Sequence, residues 1–224
     1  MYPKIIEKEE LFPLVGVELA KQTPLFVALD DDNSEVSGMN IRYDNEVLNT
    51  YVSGKLSKAG KLWSLSEYLG PRMWMMKPYP QAAEGRYVHI GVDIGLPKGK
   101  ELFSPLDAKV VKSEYEAGPG NYGGLVVLEH KVKDVIFYSL YGHLDKDALP
   151  EAGTVLKKGD VFAKVGEFRT NNNGFYHTHM QILTEEGYNG GWVYKGYCTI
   201  EDAPKMVKIC PNPLHLLTYQ RERG

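Results

Sequence analysis

The stretch YVHIGVDIGLPKG, residues 87–99, sets a histidine and an aspartate four positions apart in a run of β-favouring residues interrupted by glycines. Val88, Ile90, Val92 and Ile94 suit a pleated strand, whereas a glycine inside a strand weakens it and marks a bulge or a close backbone approach. On a regular strand His89 and Asp93 would share a face but stand ~13 Å apart, at ~3.3 Å per residue, too far to hold one ion through bonds of ~2 Å. A bend at Gly91 or Gly95 would bring the two side chains together, so the stretch predicts a broken strand that carries a polar pair.

Downstream the same punctuation recurs. Short β-favouring runs at 86–92, 107–115, 124–130, 134–142, 161–166 and 176–183 alternate with the turn-forming PKGK, AGPGNYGG, KKGD and NNNG. No helix of useful length fits between them. The expected fold class is mainly β, with an antiparallel, folded-over sheet as its core.

Upstream, PLFVALD, MNIRYD and VLNTYVS within 24–52 read as short strands. KLSKAGKLWSLSEYL, residues 55–69, places Leu56, Ala59, Leu62, Trp63 and Leu69 near one helical face and is stopped by Gly70-Pro71. The proline-bracketed PRMWMMKPYPQAAEGR then reads as a linker packed through Trp74 and its methionines. The expected organisation is a small α+β region over 1–80 and a β domain over 81–224, closed by ICPNPLHLLTYQ in a short turn or helix.

Composition narrows the partners. With 26 Lys+Arg against 29 Asp+Glu in 224 residues, the net charge is -3, and no broad basic field exists to capture nucleic acid or anionic lipid. Cys198 and Cys210 lack the CxxC spacing of a zinc ribbon or redox motif and are expected as free thiols. No run approaches the ~18 apolar residues of a membrane span, and the N-terminus shows no apolar signal core, so a cytoplasmic location is the expectation.

Six histidines, at 89, 130, 143, 177, 179 and 215, include three groups in telling contexts. His177 and His179 open HTHMQIL. Alternate residues of a strand face the same way about 6.6–7 Å apart, so one imidazole can bind an ion while the other stands over the reacting bond. His143 ends the apolar run FYSLYGHL, where a rigid strand can deliver a side chain into a cleft. His130 and His215 read as structural, and Asp30, Asp31 and Asp32 as a solvated turn rather than a calcium loop. Asn121, Tyr122 and Asn171 to Asn173 lie in glycine-flanked loops that read as turns or as the lining of a groove.

Taken in order, HIGVD, NYGGLVVLEH, YSLYGHL and HTHMQI resemble the lysostaphin-like (LytM-type) zinc metallopeptidases over roughly residues 86–184. Thr178 stands where many of that family have an apolar residue, and no metal-site position is missing. The resemblance implies a β core of the duplicated hybrid motif type. It also implies zinc held by His89, Asp93 and His179 with an open fourth position, and His143 and His177 as the catalytic histidines. The implied activity is that of an endopeptidase, with peptidoglycan-type or glycine-rich peptides as substrates. Two alternatives stand beside it: a non-catalytic binding or regulatory module on the same scaffold, and a phosphocarrier-like β domain, against which Asp93 argues. The role of residues 1–80 and the oligomeric state are not legible.

Overall fold

The computed structural model describes residues 2–39, 46–171 and 174–220. Among the described residues twelve strands form: β1 (Leu25–Phe26), β2 (Ser64–Leu65), β3 (Val88–His89), β4 (Val92–Gly95), β5 (Glu101–Phe103), β6 (Ala108–Glu116), β7 (Gly123–Val132), β8 (Val135–Leu144), β9 (Val155–Leu156), β10 (Val161–Lys164), β11 (His177–Thr184) and β12 (Tyr197–Cys198). Eight of them make one sheet in the order β1-β2-β4-β11-β8-β7-β6-β9, and β10-β5 and β12-β3 form two small ladders. Apart from the parallel β1–β2 pair, every ladder is antiparallel. The fold is thus mainly β around a large antiparallel sheet, as the alternation of short runs and turns predicts.

Both faces of the sheet are covered, which is why its central strands read as nearly continuous apolar runs. Val126 and Leu128 of β7, Phe137 and Tyr141 of β8, and Met180 and Ile182 of β11 join one core. Leu125 and Val127, Tyr138 and Leu140, and Leu183 belong to a second. Along each strand the two sets alternate, so a slip of one residue would exchange the cores and the register is strongly specified.

The N-terminal region departs from its sequence reading. The helix there is Val47–Ala59, so VLNTYVS is helical and not a strand, while residues 60–69 of the expected helix are non-helical and include β2. Leu48 and Val52, one turn apart, bury against Val27, Leu29 and Phe175, and that packing outweighs the β preference of Val47, Thr50 and Val52. Gly60, at φ 63, ends the helix in the left-handed conformation, with the Lys61 N–H closing on the Leu56 carbonyl at 3.0 Å. Of the upstream strand candidates, MNIRYD lies outside the described residues except for Met39, and PLFVALD supplies only β1. β1 and β2 extend the large sheet beside β4, placing the segment 64–72 against the strand that carries Asp93. The linker packs through Trp74, whose indole N–H donates to the Leu29 carbonyl at 2.8 Å. The chain closes on itself through the single turn Pro213–Leu216 and the Gln220 N–H on the Ala20 carbonyl at 2.7 Å. No described helix is long and apolar enough to cross a membrane.

Candidate active site

The bend in the opening stretch arises because the chain changes ladders. Val88–His89 pairs with Tyr197–Cys198, and two residues later Val92–Gly95 pairs with β11 on one side and β2 on the other. Gly91 sits at the crossing. A β-carbon there would come within 2.5 Å of His179 Cε1 and 2.6 Å of the Met180 carbonyl oxygen, so the backbone passes where a side chain would not fit. The outcome is that His89 Nε2 lies 3.4 Å from Asp93 Oδ1.

β11 brings the third group. His179 is paired with Asp93 on one side and Gly142 on the other. Its Nδ1 lies 2.9 Å from His89 Nε2 and 3.5 Å from Asp93 Oδ1. His89, Asp93 and His179 are all buried, and they are the one group among the described residues whose donor atoms are close enough together to hold an ion. Tetrahedral coordination with bonds of about 2.0–2.1 Å has ligand-to-ligand edges of about 3.3–3.4 Å. The three observed edges, 2.9, 3.4 and 3.5 Å, average close to that value.

Hydrogen bonds set the ring nitrogens. Gln181 donates its amide N–H to the Trp192 carbonyl at 3.3 Å, which turns its Oε1 toward His179 Nε2 at 3.2 Å. His179 therefore carries its proton on Nε2 and aims the Nδ1 lone pair at the cluster. His177 donates from Nδ1 to the Phe175 carbonyl at 3.0 Å, so in its neutral form the ring presents the Nε2 lone pair, 3.4 Å from Asp93 Oδ1. A carboxylate oxygen, the His179 Nδ1 lone pair and the His89 Nε2 atom thus converge in a buried space, a donor set that suits a cation.

His143 stands beside His177, with ring centroids 4.6 Å apart. It is reached through an unusual backbone: His143 adopts φ 62 at the end of β8, a left-handed conformation that costs a non-glycine residue about 1–2 kcal/mol. Its N–H donates to the Tyr122 carbonyl at 2.7 Å and its carbonyl accepts from Gly166 N–H at 2.9 Å, so the strand is turned out of alternation and held there.

Electrostatics follow from burial. Burial, reinforced by the Arg72 charge, pushes His89 down to about 4. His143 is also held well below its ordinary value, by burial and then by His177 and His179. Burial would raise Asp93, but His89, Arg72 and His177 outweigh it and keep the carboxyl well below the usual carboxylate range.

A cavity lined by the five residues is roofed by Met75, Met76 and Tyr79, with Tyr122, Phe175 and Tyr197 in its walls. It leaves about 50 Å³ of space for the centres of water-sized molecules, room for a few waters. The roof is latched where Gln81 Nε2 donates to the Gly120 carbonyl at 3.3 Å.

The remaining candidates fall outside the cluster. His130 bonds Ser139 Oγ at 2.7 Å and the Asp107 carbonyl at 3.2 Å, and His215 packs edge-on to Tyr2. Asp31 caps the turn Met73–Met76 by accepting from Met73 and Trp74 N–H at 3.1 and 3.0 Å. Asn121 bonds back to the Ala117 carbonyl at 2.8 Å and also lines the cavity, while Asn172 and Asn173 lie outside the described residues. Both cysteines are free and buried. Thr178 turns its hydroxyl to the Gly142 carbonyl at 2.9 Å. Sequence reasoning missed Gln181, Tyr197 and Arg72. The first had a signal, because two residues beyond His179 on a strand it must share that face.

The model of Peptidase family M23 matches residues 87–190. Solved structures similar to this chain include a zinc-containing peptidase from Vibrio cholerae, at 30% identity and TM-score 0.38 over 44% of this chain and 28% of that one. Another is the catalytic domain of the antimicrobial peptidase lysostaphin from Staphylococcus simulans, at 19% identity and TM-score 0.40 over 54% and 80%. A third is a catalytic-domain variant of the prophage-encoded M23 protein EnpA from Enterococcus faecalis, at 18% identity and TM-score 0.38 over 50% and 75%. The chain therefore spans little more than a quarter of the Vibrio cholerae peptidase. The family match runs from just before His89 to just past His179, so the stretch that is similar to peptidase family M23 contains all five candidate site residues.

Proposed function

We propose that this protein is a zinc-dependent endopeptidase that hydrolyses peptidoglycan-type or glycine-rich peptides, with His89, Asp93 and His179 holding the metal and His143 and His177 as the catalytic histidines. The observation that carries the reading is the convergence of His89 Nε2, Asp93 Oδ1 and His179 Nδ1 at tetrahedral spacing, with His177 and His143 in the same cavity.

A zinc ion bound there supplies Lewis acidity, which makes a water nucleophilic near neutral pH and polarises a carbonyl oxygen. The remaining work belongs to the chain. Because Nδ1 is committed to Phe175, a neutral His177 presents its Nε2 lone pair to take a proton from an attacking water. The proton that His177 takes up then passes to the departing amine, while His143, ring against ring with His177, hydrogen-bonds the developing oxyanion. The walls of Phe175, Tyr122 and Tyr197 exclude bulk water and favour a slim main chain with small side chains, which supports glycine-rich substrates.

Elemental analysis of purified wild type and His179→Ala, together with hydrolysis of pentaglycine and of cross-linked muropeptides before and after chelation, tests this. The expected result is about one zinc per chain that is absent from the variant, and cleavage lost on chelation. Equal, negligible zinc in both proteins would refute it.

A further inference from the structure

A guanidinium lies directly behind the candidate metal ligands. Arg72 is 0% exposed, and each arm of its fork has a partner. Nε donates to Glu67 Oε1 at 2.6 Å, Nη2 to Ser66 Oγ at 2.8 Å, and Nη1 to Asp93 Oδ2 at 2.5 Å. Glu67 is itself fixed, since its other oxygen accepts the Leu29 N–H at 2.8 Å. Ser66 Oγ also accepts the Asp93 N–H at 2.8 Å, and the Ser66 N–H returns to the Asp93 carbonyl at 3.0 Å. Asp93 is thus gripped at its backbone N–H, its carbonyl and Oδ2, all by the segment 66–72. One of its hydrogen-bonding atoms remains for the cavity. That atom, Oδ1, lies 3.4, 3.4 and 3.5 Å from nitrogens of His89, His177 and His179.

We propose that Arg72 is a positioning residue, which occupies Asp93 Oδ2 so that the carboxylate meets a metal ion through Oδ1 alone and leaves coordination room for water. The inference rests on the zinc reading above. A carboxylate with both oxygens free can close on an ion through two bonds, and the second bond would take up the space that an open catalytic site needs. Arginine suits this position and lysine does not. The planar fork reaches Glu67, Ser66 and Asp93 at once, whereas an ammonium is a point charge that fixes no plane. Charge balance holds because the guanidinium lies between two carboxylates, Glu67 and Asp93. Burial alone would make it easier to deprotonate, but these two anions outweigh burial and keep it charged. Nothing in the spacing around HIGVD announces Arg72. It becomes visible only when β2 is laid beside β4.

The test compares wild type with Arg72→Lys, which keeps the charge and loses the fork. Zinc affinity is read by competition with a chromophoric chelator, and the visible spectrum of the cobalt(II)-substituted protein reports coordination number. The expected result is a folded variant whose zinc affinity is weaker by about 10–100-fold. Its cobalt bands should lose intensity as Asp93 swings to bind through both oxygens and four-coordination gives way to five. A purely structural role would lower stability without changing that spectrum. Should Arg72→Lys not fold, the wild-type guanidinium N–H signals of Arg72 in nitrogen-15 NMR carry the test, since they must shift when zinc is added. Unchanged affinity and spectrum in a folded variant, or no shift in the wild type, would overturn the inference and leave the zinc reading standing. A wild type that binds no zinc would overturn the zinc reading itself.

Discussion

Replacing Gly91 with alanine adds one methyl group and should damage both the fold and the metal site. The added carbon would lie 2.5 Å from His179 Cε1, 2.6 Å from His179 Nε2 and 2.6 Å from the Met180 carbonyl oxygen. The imidazole could turn only by breaking its bond to Gln181, and the Met180 carbonyl belongs to β11 and cannot yield without moving the strand. Overpacking of this kind costs about 1–3 kcal/mol. Against it stands a gain of about 0.4–1 kcal/mol, because alanine narrows the unfolded ensemble where the native φ is ordinary. The net loss is then about 1–2 kcal/mol, or about 2–8 °C in Tm for a chain of this length. Because β11 and the His179 ring absorb the strain, zinc affinity should fall by about 10–100-fold in the same variant. The assay is a urea melt of the metal-free protein paired with chelator competition. Gly38→Ala serves as control, since a β-carbon there meets nothing within 4 Å. A Gly91→Ala protein with the midpoint and zinc affinity of wild type would refute the claim that close approach at Gly91 assembles the site.

Other outcomes follow from the same geometry. His177→Ala should keep its zinc, measured by elemental analysis, yet lose about 10²–10⁴-fold in hydrolysis rate, whereas His179→Ala should lose both. His130 is buried and its pKa is pushed down to about 4 by burial, from an ordinary 6.5. The unfolded chain therefore takes up that proton first as pH falls, and stability present above pH 6.5 is lost progressively toward pH 4. The gap is worth about 3 kcal/mol. Chemical denaturation of metal-free wild type and His130→Gln at pH 7 and pH 4.5 should show a smaller pH dependence in the variant, and equal slopes would count against the assignment. Cys198 and Cys210 are buried with thiols pushed up to about 12, so a thiol reagent at pH 8 should label neither in the folded protein and both after unfolding.

Much of the β core was legible because its signals are local. Gly118, Pro119 and Gly120 separate β6 from β7, and alternate residues of each run feed opposite cores. The five candidate site residues were singled out by the order of HxxxD, a strand-end histidine and HxH and by the family resemblance that order carries, and all five line one cavity. The N-terminal region was harder to read. Val47, Thr50 and Val52 carry β preference, and packing against residues from other parts of the chain, Val27, Leu29, Val36 and Phe175 among them, makes a helix there worthwhile. Arg72 lies 21 residues before Asp93 with a proline-rich stretch between them, so its hydrogen bond follows from sheet pairing and not from any pattern in the sequence. The roof was visible only as a linker, because no spacing rule says what Met75, Met76 and Tyr79 will cover.

The two candidate metal imidazoles are 90 residues apart in the chain, and the strand that carries the second slots between two strands made before it. During synthesis the sheet has a gap there until β11 leaves the ribosome, and a nascent chain holding only HIGVD offers an ion two donors. On the zinc reading proposed above, capture of metal comes late, after that strand closes the gap, so a chain truncated before residue 177 should emerge unable to retain zinc however well its earlier strands have paired.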